Sequence, residues 1–212
     1  MTKKELLAKA IEDGSNLIST LPPAQMDVPA LTSIRIRHIL NNIGKLGTVH
    51  LECGIHKSGT YTATIAGNTN IRESYAIDNF ASDAHSDDKA RPVFEKYSKM
   101  FLPKTTSHFL IVNNTFDTEL DYLPSNIDLY MYDGDHSYEA QKQALTYFKD
   151  NLADEFIFLC DDYDWEEVKK GTHDGIREAG YEILYEKILD GNDHDNDGFW
   201  NGFYIALLKK TA

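Results

Sequence analysis

Apolar residues in this chain fall into short runs, and the stretches between the runs carry apolar positions at helical spacing. Thr48–Glu52, Ser74–Asp78, His108–Val112, Ile127–Tyr132 and Phe156–Cys160 read as strands. Thr60–Ala66, Arg91–Phe101, Ser137–Leu152 and Trp165–Ala179 read as the helices that follow or separate them. Regular alternation of this kind predicts βαβ units: an α/β, Rossmann-like, doubly wound and mainly parallel sheet in a three-layer αβα arrangement. Tyr181–Leu189 and Phe199–Lys209 are both strand-like and are separated by a Gly/Asn/Asp turn, so they predict a C-terminal hairpin that places one antiparallel strand in the sheet. Upstream, Thr2–Asp13 reads as a helix ended by Gly14-Ser15, Leu21-Pro22-Pro23 as a loop, and Pro29–Asn42 as a second helix closed by Gly44. Residues 1–46 thus form an N-terminal helical extension, a lid or packing arm, and residues 47–212 the sheet-bearing domain.

The bulk numbers narrow the function. With 212 residues, 42% of them hydrophobic, the chain has ordinary globular composition. A chain of this size buries roughly 70% of its unfolded surface. Lys and Arg number 21 against 34 Asp and Glu, a net charge of −13 that repels a phosphate backbone, so no nucleic-acid partner is expected. The first residues, Met1-Thr2-Lys3-Lys4-Glu5, lead into charge-interrupted periodicity without an export h-region, and no apolar run reaches the roughly 20 residues a membrane span needs. A cytoplasmic protein with no membrane partner is expected. Cys53 and Cys160 end buried strands, where an unpaired thiol acts as a small hydrophobe. Leu31, Ile34, Ile36 and Ile39 exceed what one helix face must bury, which points to a homo-oligomer.

The chemistry-bearing residues stand at strand ends. Asp133-Gly134-Asp135-His136 follows one run and Asp161-Asp162 another, and in an open α/β sheet the carboxyl ends of the strands border the ligand crevice. Hard oxygen ligands suit Mg²⁺ or another divalent cation. Asp133-Gly134-Asp135 is also a DxD motif of the kind glycosyltransferases use. The plainer reading of all four acids is solvated turns and a helix N-cap. At a third strand end, Glu52-x-Gly54 with Ser58-Gly59-Thr60 is a turn whose glycines let backbone approach a ligand and whose following helix offers N–H groups to an anion. Asp78, about 20 residues on, is placed to accept ribose hydroxyls. Asp193–Asp197 matches the opening of a calcium loop, but Tyr204 stands where its closing Glu belongs, and a hairpin tip fits better. Tyr130, Tyr132, Phe156 and Phe158 read as packing.

In this order the motifs resemble class I S-adenosylmethionine-dependent methyltransferases, and more narrowly the metal-dependent O-methyltransferases of the macrocin and antibiotic-sugar type, over about Thr48 to Lys209. The resemblance implies S-adenosylmethionine across the crevice. Glu52 and Gly54 would lie near its methionine end with Ser58, Gly59 and Thr60, Asp78 at its ribose, and Asn114 or Thr115 near its adenine. Asp133, Asp161 and Asp162 match the acids that hold Mg²⁺, Asp133 also bordering the cofactor, and Asp135 matches the general base, with His136 as a possible sharer of that role. The implied reaction is transfer of a methyl group to a hydroxyl of a small-molecule acceptor. Ser58 and His136 depart from the family pattern, which has glycine at the first position and often an apolar residue at the second. A DxD glycosyltransferase and a methyltransferase-like binding module without turnover are the competing readings.

Overall fold

The computed structural model describes residues 1–81, 90–192 and 195–211. Its sheet has seven strands: β1 (Val49–Cys53), β2 (Glu73–Ile77), β3 (Ser107–Ile111), β4 (Ile127–Tyr132), β5 (Leu152–Cys160), β6 (Tyr181–Leu189) and β7 (Phe203–Lys210). They lie in the order β3-β2-β1-β4-β5-β7-β6. The first five are parallel, and β7 runs antiparallel between β5 and β6. This is the predicted Rossmann-like sheet with its terminal hairpin.

Among the described residues six α-helices cover the sheet: α1 (Lys3–Ser15), α2 (Ile34–Gly44), α3 (Gly59–Ile65), α4 (Ala90–Phe101), α5 (Tyr138–Tyr147) and α6 (Glu166–Ala179). Successive strand residues point to opposite faces, so a single strand feeds two cores. Tyr130 and Tyr132 of β4 join Phe156 and Phe158 of β5 against Ala144, Leu145 and Ile176 of α5 and α6. Leu129, Met131, Ile157 and Leu159, from the same two strands, pack instead on Leu7 and Ile11 of α1 and Ile36, Ile39 and Ile43 of α2. The N-terminal helices therefore form an outer layer of the sheet's own core. Leu31 and Ile34 remain exposed while Ile36 and Ile39 are fully buried. Among the described residues no helix is long and apolar enough to cross a membrane.

Several boundaries differ from the sequence reading. The second helix starts at Ile34 rather than Pro29, because Ser33 caps it by accepting the Ile36 N–H at 3.2 Å. Pro23–Asp27 forms a 3₁₀ turn ahead of it. That turn is tied down by Gln25, whose side chain donates to the Gly59 carbonyl at 2.8 Å, and by Arg37, which donates to the Gln25 and Val28 carbonyls. Pro29, Ala30 and Leu31 are thereby laid over the start of α3, where a methyl on Gly59 would overlap Ala30. α5 stops at Tyr147 instead of Leu152, and β5 takes up Leu152 to Glu155, where the adjacent acids Asp154 and Glu155 hide the strand in the sequence. β7 begins at Phe203 rather than Phe199, since Trp200 (φ 56°) and Gly202 (φ 87°) are left-handed and break the extension. The polar loop expected over Asn79–Asp88 falls largely outside the described residues, as do Asp193 and His194 of the calcium-like turn.

Candidate active site

Strand order reverses between β1 and β4, the place where an α/β sheet of this kind opens a ligand crevice. A cavity of about 860 Å³ lies there, across the carboxyl ends of β1 to β5. Its floor is the turn after β1. Gly54 (φ 83°), His56 (φ 41°) and Ser58 (φ 86°) are all left-handed, which folds the turn tightly beneath the crevice. A side chain on Gly54 would overlap the Asp133 carbonyl, so this glycine permits β1 and β4 to end side by side. Ser58 holds a conformation that suits glycine, and its buried hydroxyl has no partner.

Asp78 fastens this turn. Its Oδ2 accepts from the backbone N–H groups of Ile55 and His56, each at 2.8 Å, and its Oδ1 accepts from Phe80 N–H at 2.6 Å. Three of about four acceptor positions on the carboxylate are thus occupied, leaving one edge for a ligand hydroxyl. Gly54, Gly59, Thr60, Asp78, Asn114 and Thr115 all line the cavity. Asn114 accepts from the Asn79 amide at 2.6 Å and donates to Asp117 at 2.7 Å, which orders the rim near β3.

Glu52 and Ser58 do not line the cavity; both are fully buried under the turn. Thr60 donates to Glu52 Oε1 at 2.5 Å, while Glu52 Oε2 faces His50 Nε2 at 3.7 Å, too far for a hydrogen bond. Burial drives the Glu52 carboxyl well above its ordinary value and pushes His50 down to about 3, so His50 is neutral near pH 7. His50 continues through Ser74 (3.0 Å) and Tyr61 (2.6 Å from Ser74) to His108 (2.8 Å), a polar chain running under α3 to the edge strand. Glu52 supports the turn through Thr60.

The acids after β4 and β5 meet at the other end of the crevice. Asp133, His136 and Asp162 each bring a ligand atom within 4.8 Å of the others, and His136 Nε2 lies 3.0 Å from Asp162 Oδ2 and 3.8 Å from Asp133 Oδ1. Burial opposes charge on the His136 ring, but its two carboxylate contacts outweigh that and raise it to about 10. Burial raises Asp133 to about 6 against the pull of His136, with Asp162 adding to the rise. Asp162 is left-handed (φ 52°), so the chain leaves the strand alternation there, and Asn201 donates to its Oδ1 at 2.7 Å. Asp161 lines the cavity but is not part of the ligand group: it is buried, its Oδ1 accepts the Asp162 N–H at 3.0 Å, and burial drives its carboxyl well above the ordinary range. Asp135 is exposed on the same wall, and Ser137, by side chain and by an N–H at 2.7 Å, holds its carboxyl below the ordinary value.

His136 in place of Asp161 is one change from the acids singled out in the sequence. Asn201, Trp165 and Trp200 are further wall residues that motif spacing does not mark. Their signal was position: Trp165 stands three residues after Asp162, and Trp200-Asn201 fills the break before the last strand.

A seven-stranded sheet with one antiparallel strand, a crevice at the β1/β4 reversal and a glycine turn beneath it define the Rossmann-like methyltransferase class. Residues 51–163 match the family described as methyltransferase domain. The chain belongs to that family and is a methyltransferase. Its fold is similar to that of the O-methyltransferase TomG from Streptomyces achromogenes in complex with SAM (TM-score 0.63, 13% identity, covering 99% of this chain and 100% of that one). It is also similar to cofactor-bound Rv0187 from MTB (TM-score 0.59, 15% identity, 97% and 90% covered). Spermidine synthase from Thermotoga maritima shares the fold over 76% of this chain and 54% of that one (TM-score 0.53, 13% identity), so the fold by itself does not fix the acceptor. No curated protein matches the chain.

Proposed function

We propose that the chain is a divalent-metal-dependent O-methyltransferase that methylates a hydroxyl of a small molecule, with S-adenosylmethionine lying over the glycine turn. The observation that supports this most is the Asp133–His136–Asp162 group: three ligand atoms of a type that binds divalent ions, within 4.8 Å of one another at the crevice. Asp133, His136 and Asp162 would hold the cation, with Asp161 adjoining, and a cation there would lower the pKa of the acceptor hydroxyl. In the same reading Gly54, Gly59 and Thr60 face the methionine end, Asp78 the ribose, and Asn114 and Thr115 the adenine.

The protein's own groups divide the remaining work. Asn201 holds Asp162 in its left-handed turn, so its free oxygen stays on the crevice side with His136. Asp135 is the proposed base: it lines the crevice, is ionised at neutral pH, and is oriented by Ser137. His136 would give its Nε2 lone pair to the cation in this reading and is therefore the weaker candidate for accepting a proton. The turn after β1, pinned by Asp78, orients the methyl donor, and orientation supplies much of the acceleration in such a transfer.

Calorimetric titration of S-adenosylmethionine and then Mg²⁺ into chelator-treated protein tests this reading. Cofactor binding together with a metal heat that disappears in Asp162→Ala supports it. Cofactor binding with no metal heat in the wild type would leave a metal-independent methyltransferase. Binding of sugar nucleotides instead of S-adenosylmethionine would favour the glycosyltransferase reading.

A further inference from the structure

The chain contains two tryptophans, and both line the acidic end of the crevice. Trp165 is fixed to the acidic loop: its N–H donates to the Asp162 carbonyl at 3.1 Å, and its own carbonyl accepts from Lys169 at 3.0 Å as α6 begins. Its indole meets the His136 ring edge to face, with centroids 4.9 Å apart and planes at 84°. Even so, 46% of Trp165 is exposed. Trp200 precedes Asn201, the residue that holds Asp162, and packs on the cluster formed by α1 and α2. Leu31, half-exposed, reaches the same cavity from the segment laid over Gly59. A large aromatic side chain held in place but left in water, beside a polar cluster, offers its face to a ligand ring.

We infer that the acceptor is a flat aromatic ring carrying a hydroxyl on one edge, which stacks on Trp165 with that edge turned toward Asp133, His136 and Asp162. This rests on the O-methyltransferase reading above. The distribution of polar groups favours such a ring over a sugar. Pro29, Ala30, Leu31 and the two indoles bring no side-chain acceptor to the wall facing the acids, and the Asn201 NH₂ donates to Asp162. A sugar has hydroxyls around its whole perimeter, and those turned toward the indoles, Pro29, Ala30 and Leu31 would lose water without gaining a side-chain acceptor. A phenolic ring has one polar edge, which meets the carboxylates and His136, and two apolar faces. In the transfer, the acceptor O–H bond breaks and its proton passes to Asp135. An oxygen electron pair forms the new O–CH₃ bond as the S–CH₃ bond breaks, and the sulfonium leaves as the neutral thioether S-adenosylhomocysteine.

Because both tryptophans stand at this site, indole emission reports on it directly. Catechol is the probe, titrated into protein saturated with S-adenosylhomocysteine and Mg²⁺, with methyl β-glucoside as the comparison. Catechol should quench the emission saturably. Trp165→Ala should weaken catechol binding by about tenfold and Trp165→Phe by much less, with S-adenosylhomocysteine affinity by calorimetry unchanged in both. No catechol quenching in protein that binds S-adenosylhomocysteine would overturn the inference and leave the methyltransferase reading standing, as would methylation of the glucoside at a rate insensitive to Trp165→Ala. Failure to bind S-adenosylhomocysteine at all would remove the underlying reading, and this inference with it.

Discussion

Replacing Gly54 by alanine should damage the fold and the site together. At φ 83° a side chain strains the backbone by roughly 1–2 kcal/mol. The added methyl would also overlap the Asp133 carbonyl and stand 2.8 Å from the Gly134 nitrogen. Relief requires β1 and β4 to part at their ends, which sacrifices the Asp133 N–H bond to the Cys53 carbonyl, now 2.8 Å, at a net cost of about 1 kcal/mol. Against this, alanine restricts the unfolded chain and returns about 0.4–1 kcal/mol. The balance is a loss of roughly 2 kcal/mol, and for a domain of this size a fall in Tm of about 4–8 °C. Parting the strands also displaces Asp133, so metal affinity should drop with stability. Thermal unfolding and Mn²⁺ titration of Gly54→Ala would measure both. A Tm within about 1 °C of wild type with unchanged metal affinity would refute the argument that this glycine sets the distance between the strand ends.

Three other outcomes follow from the same geometry. Asn201→Ala should reduce divalent-metal affinity about 10- to 100-fold, as losing a ligand's hydrogen-bond partner does, and Mn²⁺ binding followed by electron paramagnetic resonance would show it; an unchanged affinity would mean that Asn201 does not orient Asp162. Asp135→Asn should slow methyl transfer by about 10²–10⁴ while leaving S-adenosylmethionine affinity intact, a split that a kinetic and calorimetric pair resolves; wild-type turnover would remove Asp135 as the base. His50, buried and pushed down to about 3, stays neutral in the fold while the unfolded chain protonates it near 6.5, so between those values the unfolded state binds more protons and stability falls as pH is lowered. In His50→Gln the urea midpoint should therefore decline less between pH 6.5 and 4 than in the wild type, and parallel declines would argue against a neutral buried His50.

Most of the architecture could be read from the chain because each strand is a compact apolar run and each connection has a capping or glycine signal. β4 matches its expected bounds, Ile127–Tyr132, because Leu129–Tyr132 is an unbroken apolar run that outweighs the single Asp128. Where the reading slipped, a tertiary contact overrode local pattern. Pro29 to Leu31 looked helical, yet the Gln25 and Arg37 hydrogen bonds draw that segment across α3 as part of the crevice wall. Leu152 reads as the end of a helix and Ala153 to Glu155 as the link to the strand, because Asp154 and Glu155 break the apolar run, yet Leu152 pairs with Ile127 and Glu155 with Lys209 of the neighbouring strands. The acids at the strand ends were legible as a group, but which of them converge was not. Whether Asp161 or His136 meets Asp162 depends on the left-handed turn at Asp162, and neighbouring residues in sequence do not reveal that φ value. Glu52 was visible as an acid at a strand end, whereas its burial beneath the turn goes with its bond from Thr60 on α3, which the local strand pattern does not show.

The place of β7 in the sheet also governs when the site can come into being. Phe203–Lys210 follows every other strand in the chain, yet it lies between β5 and β6 and pairs with both. During synthesis, β5 therefore presents one unsatisfied edge until those residues emerge, and Asp162 lacks Asn201 for the same interval. The ribosome must deliver almost the whole described chain before the acidic end of the crevice can close. A nascent chain halted before Trp200 would carry the glycine turn and the acids after β4 and β5, with neither the second indole nor the amide that orients Asp162.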